Sequence, residues 1–297
     1  MTDSQNIKKT ALFVGVTFLV SYLMVFLYLG LGGRWGSVSM AFVTILYMFV
    51  PMTVAIVLRK GIEREPVAET FGISFRLNKW FAAGWLFPVF LACAAFGVAL
   101  LIPGVRFDPQ MSEFFAKFVG QVPPEKLAAV RYSIAALPIP LFYVTLLAGM
   151  LAGATVNAIA AFGEELGWRG YLQQKLEFLG FWRMSAIIGV IWGLWHLPLV
   201  IHGYNYPQHP LLGVLMMTVF TTLLSPIISF IRIRSKSVIA TSILHGTMNG
   251  VSGAAVLMIG GGNDLTVGVT GLAGFIVLLL IDIAIFVFAR DLRQASA

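Results

Sequence analysis

Residues 11–31 read ALFVGVTFLVSYLMVFLYLGL, an unbroken apolar run without a charged side chain. A helix rising about 1.5 Å per residue needs about 20 such residues to cross the hydrocarbon layer of a bilayer. Lys8 and Lys9 precede the run, as basic residues precede a secretory leader. The run is too long for a leader's core and no small-x-small cleavage pattern follows it. The sequence therefore predicts a retained first membrane span. Similar runs recur at 37–58, 81–103, 138–163, 183–202, 211–231, 237–260 and 266–289, eight candidate spans in all. Pro51, Pro88, Pro138, Pro140, Pro198 and Pro226 fall within or at the ends of these runs. They predict kinks or breaks that neighbouring helices must accommodate.

Composition agrees with this pattern. Of 297 residues, 59% are hydrophobic and 11% charged, where a soluble chain carries about 25% charged. The length would allow two soluble domains, but the runs argue for one bundle. The expected fold is all-α, a polytopic transmembrane helix bundle of about eight spans. Residues 1–297 then form a single integral membrane domain. The net charge of +7 comes from basic residues in the short segments between runs. They act as topological signals there, so membrane lipids are expected partners and nucleic acid is not. Cys93 is the sole cysteine. It excludes a disulfide within the chain and a Cys-based zinc site, and reads as a small packed thiol.

With the N-terminus in the cytoplasm, the connections assigned inside hold fifteen Lys and Arg and those outside hold five: Arg34, Arg106, Lys117, Lys126 and Arg131. The bias predicts both termini in the cytoplasm, with the plasma (inner) membrane as the expected location. Trp80 and Trp182 open two runs, where an indole favours the membrane interface. The mixed segment Tyr171–Trp182 is expected to lie along that interface, and Met111–Val119 to form a short surface helix.

Ionisable groups inside spans are costly and mark functional sites. Three clusters stand out: Glu164-Glu165-Leu166-Gly167-Trp168-Arg169, then Trp192-Gly193-Leu194-Trp195-His196, then His245-Gly246-Thr247-Met248-Asn249. Glu165 and Arg169 are four apart on one helix face in the favourable order. Pairing them leaves Glu164, rotated by about 100°, free to act as a general base. The bland alternative is an interfacial charge cluster that ends the span. His245 and Asn249 are also four apart and share a face, so an imidazole and a carboxamide can donate together to an oxyanion. Their alternative is polar glue between helices, with Gly246 and Gly250 allowing the approach. For His196 the alternative is a lone ring bonded to a carbonyl freed near Pro198. Glu164, His196, His245 and Asn249 together suffice for amide hydrolysis.

In this order, the clusters resemble the CPBP family of intramembrane proteases, which includes the CAAX prenyl endopeptidases and bacterial relatives often called metalloproteases. The resemblance covers about 140–255. It rests on Glu164, Glu165 and Arg169 at intact spacing, on Trp192 and His196 with Trp where the family usually has Phe, and on His245 and Asn249. It implies an intramembrane endopeptidase, of glutamate or metallo type. Glu164 and His196 would activate water, and His245 and Asn249 would form the oxyanion hole. Glu165, Arg169 and Trp192 would support them. The implied partner is a peptide or protein substrate, with lipidated C-termini one family option. No obligatory cofactor is favoured. A divalent metal such as zinc would have Glu164, His196 and His245 as ligands, although the usual His-Glu-x-x-His is absent.

The rivals are a proton-coupled transporter, for which Asp282 fits best, and a non-catalytic membrane binding or immunity protein. Asp282 otherwise reads as a helix–helix contact, and no broken segments recur in the two halves as transporters often show. An aspartyl protease needs a second intramembrane Asp; Asp264 lies in an outer turn. Gly250-Val251-Ser252-Gly253 reads Gly-x-Ser-Gly, but no His follows His245, so Ser252 is read as a packing residue, with pairing to His196 as the alternative. Gly149 and Gly153 read as a helix-packing seam. His202 and His209 sit in an outer loop, on the wrong side for this site. His196 lies about 20 Å along its helix from Arg183 and His245 about 14 Å from Lys236. Glu164 meets them only if its helix continues inward to about residue 170. The site is then expected to open towards the cytoplasmic half, with Glu164 within about one water of His196.

Overall fold

A computed structural model describes residues 3–294 apart from 117 and 121; Lys117 of the charge count, which also falls within the expected surface helix, lies outside the described residues. Ten helices of ten residues or more make up the described fold: α1 (Asp3–Gly30), α2 (Val38–Val57), α3 (Lys79–Ala99), α4 (Pro124–Ala135), α5 (Leu141–Gly153), α6 (Val156–Glu165), α7 (Phe181–Trp195), α8 (Pro210–Ser235), α9 (Val238–Val251) and α10 (Leu272–Phe288). The extended structure is one short antiparallel pair, β1 (Arg106–Phe107) on β2 (Ile259–Gly260). This is the expected all-α bundle. Large apolar side chains such as Leu19, Phe42, Phe90, Leu147, Leu215 and Phe288 are exposed around it. A water-soluble surface does not carry so many, and a lipid-facing one does. The chain is an integral membrane protein.

The count of eight spans is not reached. Four helical segments are long and apolar enough to cross (Asp3–Gly30, Val38–Glu63, Lys79–Ala99 and Pro210–Ser235), and α5 with the run Val156–Leu179 makes five if taken as one span bent by 56°. α7 and α10 are apolar but shorter. Local chemistry explains the breaks. Thr155, at φ −126° and ψ −102°, interrupts the fourth run. Pro198 has no N–H to donate back to Leu194, so α7 stops and Tyr22 Oη donates to the freed Leu194 carbonyl at 2.6 Å. Helix starts are capped by short polar side chains. Ser37 accepts from Met40 N at 3.2 Å, Asn78 from Trp80 N at 3.0 Å and Ser237 from Ile239 N at 3.1 Å.

Past Glu165 the helix does not end. It widens into a π-helical stretch, Leu166–Leu172, and runs on through Gln173–Leu176. The continuation expected from depth is present. Within the segment Tyr171–Trp182, the side chains of Tyr171, Leu172, Gln173, Lys175 and Leu176 are buried, while Glu177 and Phe178 are exposed. The expected surface helix is shorter than Met111–Val119, spanning Ser112–Ala116.

Glycine seams bring the motif helices together. A Cβ on Gly149 would fall 2.5 Å from the Gly250 carbonyl oxygen, and one on Gly246 would fall 2.6 Å from Ala158 N. α5 and α6 therefore lie directly on α9, backbone against backbone.

Candidate active site

Glu164 and Glu165 end α6 and are buried, at 2% and 0% exposure. Their neighbours divide as the 100° rotation requires. Glu165 faces Arg169, with Nη1 to Oε1 at 3.0 Å, and the same oxygen meets His245 Nδ1 at 3.0 Å. Arg169 also donates to Ser225 Oγ at 3.3 Å and lies over the Trp192 ring, 4.7 Å from its centroid. A charged group left unpaired in such a place costs several kcal/mol, so Glu165 and Arg169 are held against each other. Glu164 turns the other way and accepts a hydrogen bond from Trp192 Nε1 at 2.7 Å.

Trp192 thus does two jobs. Its indole donates to Glu164, and its backbone carbonyl meets His196 Nδ1 at 2.8 Å. The carbonyl only accepts, so Nδ1 carries the proton and Nε2 of His196 keeps its lone pair when the ring is neutral. The sequence placed Trp192 among the supporting residues but gave no sign of the indole bond, because Phe at this position has no donor. Trp195 sets His196 from the side, with ring centroids 4.9 Å apart. Trp195 is itself held by Tyr47, whose hydroxyl donates to its carbonyl, and by Ser21, which accepts from its Nε1 at 2.8 Å.

Glu164, His196, His245 and Asn249 all line one cavity of about 800 Å³. They come from α6, the end of α7 and α9. Asn249 is exposed into it, while His196 and His245 are buried at 6% and 4% exposure. Ser252 lines the same wall. Tyr204, missed in the sequence, also lines the cavity and stacks on His196 at 6.3 Å and 10°. Burial, with the Glu164 charge adding to it, pushes its phenol up to about 12, so it stays protonated at neutral pH. Nothing near Tyr204 in the chain announces it, since it lies beyond the break at Pro198. Asn157, also missed, donates from Nδ2 to the Gly246 carbonyl at 3.2 Å and ties α6 to α9.

Two expectations fail. The cavity does not draw its walls from the segments assigned to the cytoplasm. It reaches Glu113, Asn205, Gln208 and Asp264, all in connections assigned outside. For the same reason the His202–Pro210 loop is on the side of the site and not opposite it. His209 pairs there with Asp264 at 2.6 Å, and His202 rests on Trp35. Asp282 is apart from the cavity; it is 8% exposed and its Oδ1 has no hydrogen-bond partner.

Among the described residues, no three His, Cys, Asp or Glu side chains gather closely enough to hold a metal ion, and Glu164, His196 and His245 are no exception. As they stand, the three do not fit a zinc ion.

The fold and this cavity define a class: a helical integral membrane protein with a carboxylate and two imidazoles buried around one chamber. Comparison with known proteins agrees. Residues 144–251 match the family model for the Type II CAAX prenyl endopeptidase Rce1-like proteins. A 49-residue stretch is 41% identical to CAAX prenyl protease 2 of Methanococcus maripaludis, covering 16% of this chain and 18% of that protein. The matched stretch is thus under a fifth of that relative's length. The matched segment 144–251 contains every residue of the three clusters on which the resemblance rests.

Proposed function

We propose that the protein is an intramembrane endopeptidase in which Glu164 is the general base. One observation carries this: Glu164, His196, His245 and Asn249, from three segments far apart in the chain, line a single cavity. A water held between Glu164 and His196 Nε2 gives its proton to the Glu164 carboxylate as its oxygen attacks the peptide carbonyl carbon. Negative charge then develops on the carbonyl oxygen. Asn249 Nδ2 donates to it, and His245 donates from Nε2 when the ring carries both protons, with Glu165 taking Nδ1–H. Collapse breaks the C–N bond, and the proton held by Glu164 passes to the leaving amine. Trp192 keeps the Glu164 carboxylate oriented, and Arg169 keeps Glu165 in place.

The substrate is a peptide or protein. The similarity to CAAX prenyl endopeptidases makes a lipidated C-terminal peptide the first candidate, and the apolar cavity residues Met217, Phe220, Leu224 and Met248 suit an apolar segment. The protein in detergent, assayed on a panel of lipidated and plain peptides, should cleave at least one. Glu164→Ala should lower that rate by about 10²–10⁴-fold, the usual range for a lost acid–base group. Equal rates for both forms would refute the role of Glu164. A chelator in the same assay should leave the rate unchanged; a loss restored by zinc would show the metallo type.

A further inference from the structure

The connections between helices sort onto two faces by their contacts. On the first face, Lys9, Arg59 and Lys175 all meet Glu63, at 3.0, 2.7 and 2.7 Å, which joins the start of α1, the end of α2 and the run after α6. Ser237 Oγ donates to the Ser74 carbonyl at 2.5 Å, and Arg234 pairs with Asp291 at 2.8 Å. On the second face, β1 pairs with β2, Gln208 N donates to Asp264 at 2.7 Å and Tyr206 Oη donates to the Thr270 carbonyl at 2.7 Å. This sorting comes from contacts and does not depend on how many helices are counted as spans.

The two faces differ sharply in charge. Arg169 belongs to the buried site, so among the described residues the first face holds fourteen Lys and Arg, and the second holds four: Arg34, Arg106, Lys126 and Arg131. Short connections rich in Lys and Arg stay in the cytoplasm. The cavity belongs to the poor face. Its walls take Glu113, Gln208 and Asp264 from the second face, and among the described residues no lining residue comes from a first-face connection.

We infer that the cavity opens on the non-cytoplasmic side of the membrane, so that the polypeptide reaching Glu164 is presented from that side. The substrate class is then an exported or membrane-anchored polypeptide whose cleaved segment lies outside the cytoplasm. The opening rests on geometry and charge alone; the substrate class also rests on the endopeptidase proposed above.

Single cysteines in a Cys93→Ser background test the opening. Gln208→Cys marks the mouth, Asn249→Cys the chamber and Lys60→Cys the basic face; Gln208 and Lys60 are exposed. In intact bacterial cells expressing the full chain, a small membrane-impermeant thiol reagent should modify Gln208→Cys and Asn249→Cys. It should modify Lys60→Cys only after permeabilisation. The reverse pattern would overturn the inference. The wild-type protein in sealed vesicles tests the substrate side. Added peptide should be cut at least about tenfold faster by right-side-out vesicles than by inverted ones. Preference for inverted vesicles would overturn the substrate class. Absence of cleavage even in detergent would instead sink the endopeptidase, while the labelling would still decide the opening.

Discussion

At the scale of single residues, the chemistry turns on who holds each carboxylate. Glu165 is spoken for by Arg169 and His245, and Glu164 by the Trp192 indole. The spacing Glu165–Arg169 was legible in the sequence because i and i+4 share a helix face. The Glu165–His245 contact was not, because nothing local relates residues 80 apart. Trp192→Phe tests the indole bond while keeping an aromatic ring against Arg169. A hydrogen bond to a charged group is worth about 1.5–3 kcal/mol. Much of it orients the base, so kcat should fall about tenfold with KM little changed. Steady-state kinetics on the peptide cleaved by wild type would show this, and an unchanged kcat would remove Trp192 from the mechanism.

At the scale of elements, the site exists because glycines let α5 and α6 touch α9. Gly149 and Gly153, and Gly246 with Gly250, were readable as small-residue seams; that they form one seam was not. Within lipid, packing replaces the hydrophobic effect as the force between helices, and bulk at such a seam is costly. Gly250→Leu puts side-chain atoms where a Cβ already falls 2.5 Å from the Gly149 carbonyl oxygen. It should destabilise by about 1–3 kcal/mol, lower the melting temperature in detergent and abolish cleavage by displacing Asn249. Gly97→Leu is the control, since a Cβ there meets nothing within 4 Å. Equal melting temperatures for the two variants would disprove the seam. The π-helical stretch after Glu165 belongs to this scale too. A run of apolar residues ended the expected span at 163, but buried polar partners carry the helix further. Composition cannot register a partner, so it placed the boundary too early.

At the scale of the whole molecule, Glu63 ties together three segments distant in sequence. Its side chain is 1% exposed, and those of Arg59 and Lys175 are 2% and 3% exposed. Removing one member of such a cluster leaves buried cations unbalanced, at about 3–5 kcal/mol. Glu63→Ala should therefore lower the melting temperature in detergent more than Glu113→Ala, whose partner Arg106 is exposed at 65%. Equal shifts would mean that the cluster contributes little. The peptidase rate of surviving Glu63→Ala protein should stay near wild type, because the cluster lies on the face away from the cavity.

The sequence by itself determined that this is an all-helical membrane protein, which residues could carry chemistry, and which face is basic. Those properties follow from composition and from the 3.6-residue period, both of which are local. Only the tertiary structure decided how many helices are long enough to cross unaided, that His245 leans on Glu165, and that the chamber opens towards the cation-poor loops. Each of these depends on which carbonyl, carboxylate or loop a distant segment finds once the helices pack, and a linear pattern carries no record of that partner.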